Sequence, residues 1–189
     1  SFYSLRDTPG RLRLYGMESP GSLYNQALIA RRQTDFSFTA STAIDFEPDN
    51  FQQMAGLICY YNSCKFHYLY VSTDDEIGKH LGIMSCEADQ TSAVTFPIQD
   101  RRIRLSEGPL IWLRASVDQA RLVFSWSDDG EYWSEIPVQL DQSLLSDEAG
   151  IEGGEQFTGA FVGMCCHDLS GWRKHADFDF FNYEGKSGH

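Results

Sequence analysis

The chain has no apolar run approaching the roughly 18 residues that a membrane-spanning helix requires, and no charged-then-apolar amino terminus of the secretory kind. Cysteine is sparse and oddly placed. The five are Cys59, Cys64, Cys86, Cys165 and Cys166; no CxxC pair exists, and two are adjacent in a stretch that reads as a core strand. That excludes the usual zinc ribbons and argues against a secreted disulfide framework. Reduced thiols in a cytoplasmic protein are therefore expected. Basic residues are short as well: 15 Lys and Arg against 27 Asp and Glu leave a net charge of −12. Such a surface repels phosphate backbones and anionic lipid, so neither nucleic acid nor membrane is an expected partner. It tolerates a neutral ligand such as a sugar, although acidity is first of all a solubility device.

Catalytic signatures are missing too. There is no GxSxG, no phosphate-binding glycine loop, and no Ser–His–Asp or Cys–His order. His67, His80, His167 and His175 never fall two or four apart, which argues against a metal site or a nucleophile built on them.

What is present is β-patterning. Aromatic residues make up 14% of the chain and fall in short alternating runs, not at helical spacing. The organising stretch is Gln52 to Tyr61, the turn Asn62-Ser63-Cys64-Lys65, and the return Phe66 to Val71. Both arms are apolar on both faces, so the expectation is a central antiparallel hairpin, covered by a second sheet on one side and by loops or a partner on the other. Phe36 to Phe46 alternates cleanly: Phe36, Phe38, Ala40, Thr42, Ile44 and Phe46 share one face. A one-residue slip would put that whole set in water.

Further strands are predicted at Arg11–Tyr15, Ala27–Ala30, Lys79–Met84, Ala93–Phe96, Leu110–Val117, Arg121–Trp126, Trp133–Ile136, Phe157–His167 and Ala176–Tyr183. Only Gln142 to Ala149 lacks strand character and fits at most one short helix. At 189 residues a single domain buries roughly 70% of its unfolded surface and needs no staple. The predicted class is all-β: a two-sheet antiparallel β-sandwich over residues 11–183, with 1–10 as a linker or docking strand and 184–189 as a frayed tail. The chain opens at Ser1-Phe2-Tyr3 without an initiator Met, as a piece of a longer polypeptide does.

Among the carboxylates, Asp177 and Asp179 are the best local pair. Spaced by two on a strand, they share a face about 7 Å apart, with Ala176, Phe178 and Phe180 on the opposite, core-like face. A solvated strand face explains them most simply; calcium or a docking partner is the alternative. Ser127-Asp128-Asp129-Gly130-Glu131-Tyr132-Trp133 reads as a hairpin turn with a Trp packed across it. Tyr60, Tyr61, Tyr68, Tyr70, Trp112, Trp126 and Trp133 are candidate sugar platforms, although core packing is favoured for each.

Four segments together carry a resemblance: Ala30-Arg31-Arg32-Gln33, Phe51 to Tyr61, Phe157 to Met164 with Asp168-Leu169-Ser170-Gly171, and Ala176 to Phe181. They resemble the C-terminal concanavalin A-like jelly roll of family 43 glycoside hydrolases, the β-xylosidases and α-L-arabinofuranosidases. The resemblance implies an accessory sandwich behind a five-bladed β-propeller that holds the catalytic carboxylates. One of these acts as general base, one as general acid, and a third orients. Nothing in this chain corresponds to the propeller, so no catalytic residue carries over. It implies one positional role: Phe157, after Gly153-Gly154, would stand at the mouth of the neighbouring substrate pocket.

The expected partners are then the propeller of the same polypeptide, a xylose- or arabinose-containing oligosaccharide reached through it, and further copies in a homo-oligomer. No cofactor is required, with calcium left open. A free-standing lectin-like module is the competing expectation.

Overall fold

The computed structural model describes residues 1–22, 25–87, 94–145 and 160–186. Its strands, in chain order, are β1 (Tyr3–Ser4), β2 (Leu12–Tyr15), β3 (Ala27–Arg32), β4 (Ser37–Asp45), β5 (Gln53–Asn62), β6 (Lys65–Asp74), β7 (Gly78–Glu87), β8 (Val94–Thr95), β9 (Ile103–Arg104), β10 (Ile111–Asp118), β11 (Arg121–Ser127), β12 (Ser134–Glu135), β13 (Leu140–Asp141), β14 (Phe161–Asp168) and β15 (His175–Gly185). They form two antiparallel sheets. The first runs β1-β2-β15-β4-β10-β11-β12, with β13 also on β11. The second runs β3-β14-β5-β6-β7-β8, with β9 also on β7.

The predicted hairpin β5–β6 sits at the middle of the second sheet. Its register pairs Ala55 with Val71 and Tyr60 with Phe66, with a bulge before Asn62. Alternation then dictates the faces. Ala55, Leu57, Cys59, Leu69 and Val71 turn inward onto Phe38, Ile44, Leu113, Phe124 and Phe178 of the first sheet. Burying each of the larger of these side chains is worth roughly 1.5–3 kcal/mol.

The outward face of the same hairpin is also apolar. Ile58, Phe66, Tyr68, Tyr70, Met84, Cys86 and Cys165 form a second buried cluster there. A loop crosses it: Met17 bridges to His167 at one end of the sandwich, and Gly21 comes up against the Ser63 carbonyl at the other. The sheet is thus covered on one side by its partner sheet and, over part of the other, by a loop.

Two predicted core residues lie elsewhere. Phe36 is 59% exposed, because β4 starts one residue later and Phe36 sits at the sandwich end, its carbonyl accepting from the Gln119 amide. Phe180 is exposed because the β15–β4 register shifts between Phe178 and Phe180. With Asp179 as the extra residue, side-chain alternation inverts: Phe178 points in, Phe180 out, and Phe181 packs back onto the core. The short helix expected after Gln142 is a 3-10 turn over Ser143–Leu145; 146–149 lie outside the described residues. No described helix is long and apolar enough to cross a membrane.

Candidate functional site

Strand pairing places Arg13 opposite Asp177, and the two side chains close a bidentate ion pair with Nε–Oδ1 at 2.7 Å and Nη2–Oδ2 at 2.9 Å. Arg11 reaches Asp179 at 3.2 Å and Asp45 at 3.3 Å. The carboxylate face of β15 is therefore a ladder of alternating charges. Asp177 is nearly buried in it, while Asp179 stays 43% exposed at its side chain. Arg11 joins Asp179 to Asp45, the cross-strand partner of Asp177, so the two aspartates stay on one face across the bulge. Any cation bound there would compete with two guanidinium groups, and among the described residues no three His, Cys, Asp or Glu side chains cluster as metal ligands do.

The Ser127–Trp133 segment is a structural turn. Ser127 Oγ accepts from the Gly130 amide at 2.9 Å, and Asp129 Oδ1 accepts from the amides of Glu131 and Tyr132 at 2.8 and 2.9 Å. These bonds hold the Asp129 carboxyl below its usual range. Gly130 has φ +80°, and a Cβ there would meet the Trp112 indole at 2.9 Å, so glycine is required on two counts. Trp133 lies under the Arg114 guanidinium at 4.2 Å.

Asp168, from the resemblance motif, knits the β14–β15 loop to β5. It accepts from the amides of Ser170 and Lys174, both at 2.9 Å, and from Gln53 Nε2 at 3.2 Å. Burial pushes this carboxyl up, but hydrogen bonding outweighs it and the net shift is downward.

Among the described residues the histidines remain apart and do not form a common site. His67 Nε2 contacts the Asp141 carbonyl at 3.0 Å and Nδ1 the Ser85 hydroxyl at 2.8 Å. The carbonyl can only accept, so the imidazole donates from Nε2 and accepts at Nδ1. That bond ties β6 to β13 across the sandwich. His167 is buried, its Nδ1 has no hydrogen-bond partner among the described residues, and burial lowers its pKa to about 4.

Phe157 and Gly153-Gly154 lie outside the described residues. The flanks are firmly held: Leu145 and Ala160 are buried, and the Ala160 carbonyl accepts from the Gln33 amide at 2.9 Å. Both open at the sandwich end that carries the β5–β6 turn.

Of the aromatics singled out by sequence, Tyr68 and Tyr70 are buried, while Tyr60, Tyr61, Trp112, Trp126 and Trp133 are half-buried. More open rings lie elsewhere, among them Phe51 at 66%, Trp172 at 83%, Tyr132 at 79% and Phe96 at 40% exposed. Position carried the signal for two of them. Phe51 follows the turn residues Pro48-Asp49-Asn50, and Phe96 immediately precedes Pro97, places where a strand has ended or not begun.

Two packed antiparallel sheets, structural turns and carboxylates committed to arginines define a concanavalin A-like sandwich module. The chain belongs to the family of β-xylosidase C-terminal concanavalin A-like domains, whose match covers residues 1–184. It is 39% identical over 183 residues to a β-xylosidase of Bacillus subtilis, covering 97% of this chain and 34% of that protein. It is 40% identical over 179 residues to xylosidase/arabinosidase 43B of Humicola insolens, covering 92% and 32%. Among solved structures, a xylan β-1,4-xylosidase of Bacillus halodurans superposes with a TM-score of 0.86 at 35% identity, covering 97% of this chain and 34% of that one. The chain spans about a third of the length of the relatives it matches.

Proposed function

We propose that the chain is the accessory C-terminal domain of a β-xylosidase-like hydrolase acting on xylo-oligosaccharides, and that it shapes the substrate pocket of a propeller domain without doing chemistry itself. The observation that carries this is coverage: nearly the whole chain aligns with one third of proteins named as xylosidases. The paired state of Asp45, Asp177 and Asp179 agrees with it, since carboxylates tied to arginines are poorly placed to hold or accept a proton. Phe157 is then the residue presented to the sugar, on a segment anchored at Leu145 and Ala160. Asp179, with half its capacity open, is a docking residue and needs no calcium. Buried thiols fit a reducing cytoplasm, and homo-oligomerisation of the complete enzyme belongs to the same reading.

The test is a chimaera in which this chain replaces the matching third of the Bacillus subtilis β-xylosidase. The isolated chain should not turn over an aryl β-xyloside, whereas the chimaera should. Phe157→Ala should lower kcat/KM in the chimaera about tenfold or more, the equivalent of about 1.4 kcal/mol, with an unchanged melting temperature. A core role for Phe157 predicts the reverse, a stability loss of about 3–5 kcal/mol. Turnover by the isolated chain would overturn the assignment.

A further inference from the structure

Where the crossing loop leaves the outward face of the second sheet, a cavity of about 290 Å³ opens over the ends of β5, β6 and β7. That lies at the lower edge of the roughly 300–1,000 Å³ typical of small-molecule sites, which sizes it for one ring. Its two sides are aromatic. Phe51 stands at the β5 side and Phe96 beyond β7, both projecting into solvent. Between them the floor is polar, formed by Tyr70, Ser72, Asp74, His80 and Arg102.

That floor is fixed in place. Arg102 donates to Asp74, to Glu76 at 3.2 Å and to the Gln99 carbonyl at 3.1 Å. His80 donates from Nδ1 to the Gly78 carbonyl at 2.8 Å, which leaves Nε2 as an acceptor, 3.5 Å from Arg102 Nη1. Tyr70 differs from its neighbours. Its ring lies over Gly82, where a Cβ would come within 2.3 Å of the hydroxyl. The side chain is only 3% exposed, yet the hydroxyl makes no hydrogen bond among the described residues. The hydroxyl keeps solvent access through the cavity, where water or a ligand hydroxyl can bond it.

We infer that this cavity binds a single residue of a neutral glycan, its apolar C–H face against Phe51 or Phe96 and its hydroxyls on Tyr70, His80 and the Asp74–Arg102 pair. A sugar ring is the ligand class that offers an apolar face and a hydroxylated rim at once. Exposed aromatic rings flanking a rigid, hydrogen-bonding floor match both. The chain's net charge of −12 disfavours an anionic sugar. The site lies at the end of the sandwich opposite the β5–β6 turn, and its existence does not depend on the chain shaping a neighbouring pocket.

The experiment uses the 189-residue chain alone, so its outcome is separate from that of the chimaera. Saturation-transfer NMR and titration are run with D-xylose, L-arabinose, D-galactose, D-glucose and xylobiose, with D-glucuronate as the anionic control. At least one neutral sugar should bind with a Kd of order 1 mM. Phe51→Ala and Tyr70→Phe should each weaken it about tenfold. Neither should change the melting temperature, since Phe51 is exposed and Tyr70→Phe removes only the hydroxyl. Absence of saturable binding by every neutral sugar would overturn the inference. So would preferential binding of glucuronate, or affinities indifferent to both substitutions.

Discussion

Cys165 and Cys166 are neighbours in sequence and strangers in space. Cys166 faces the inter-sheet core and Cys165 the outward cluster, as alternation on a strand requires. Burial pushes the thiols of Cys59 and Cys165 up to about 12, so neither supplies thiolate at neutral pH. Only Cys64 is part-exposed. Titration of the native protein with a thiol reagent should find one fast-reacting group, and five after denaturation; a deficit in the denatured count would mean a disulfide.

His167 carries a pH signature. Burial holds its folded pKa at about 4 against about 6.5 unfolded. Between those values the unfolded chain binds the proton and the folded one does not, so stability is full above pH 6.5 and falls as pH drops toward 4. The loss from this residue approaches about 3 kcal/mol. Burial also lowers His67 and His80 in the same direction. Urea unfolding at pH 7 and pH 4.5 should show the drop, and His167→Gln should flatten it; an unchanged slope would assign the dependence elsewhere.

At the scale of elements, the strands with strict alternation or two apolar faces were legible. β4, β5, β6, β10 and β11 fall within a few residues of their predicted bounds, because a half-buried or doubly buried strand writes its geometry into its composition. The bulge in β15 was not legible. Ala176-Asp177-Phe178-Asp179-Phe180 alternates without a flaw, and the register shift becomes visible only through the partner β4. The same blindness hid the cavity floor, since Tyr70, Asp74, His80 and Arg102 come together through pairing and a loop, not through spacing.

Two aspartates that look equivalent in sequence also differ in burial on β15. Asp177→Asn breaks a nearly buried bidentate pair and should cost about 3 kcal/mol or more. Asp179→Asn removes one exposed contact and should cost under about 1 kcal/mol. Equal effects in urea melts would refute the charge ladder on β15, and a fall in melting temperature with chelator would show that a cation is bound.

For the whole molecule, the sandwich class followed from the count and spacing of strands, but the order of strands did not. Sequence places β2 and β3 next to each other; the structure sends them to different sheets and joins each to the far end of the chain. β3 lies on β14, and β2 on β15, whose ion pair links Arg13 to Asp177 across 164 residues.

That wiring has a consequence for how the protein is made. A chain emerging from the ribosome at roughly 5–20 residues per second exposes β2 and β3 for many seconds before their only long partners exist. Neither sheet can close along that side until synthesis has passed Asp168 and His175. The central hairpin, by contrast, can zip as soon as it is out. Its local register gives the nascent chain something to hold while the two early strands wait, and loop closure over such a distance makes their docking the late event of folding.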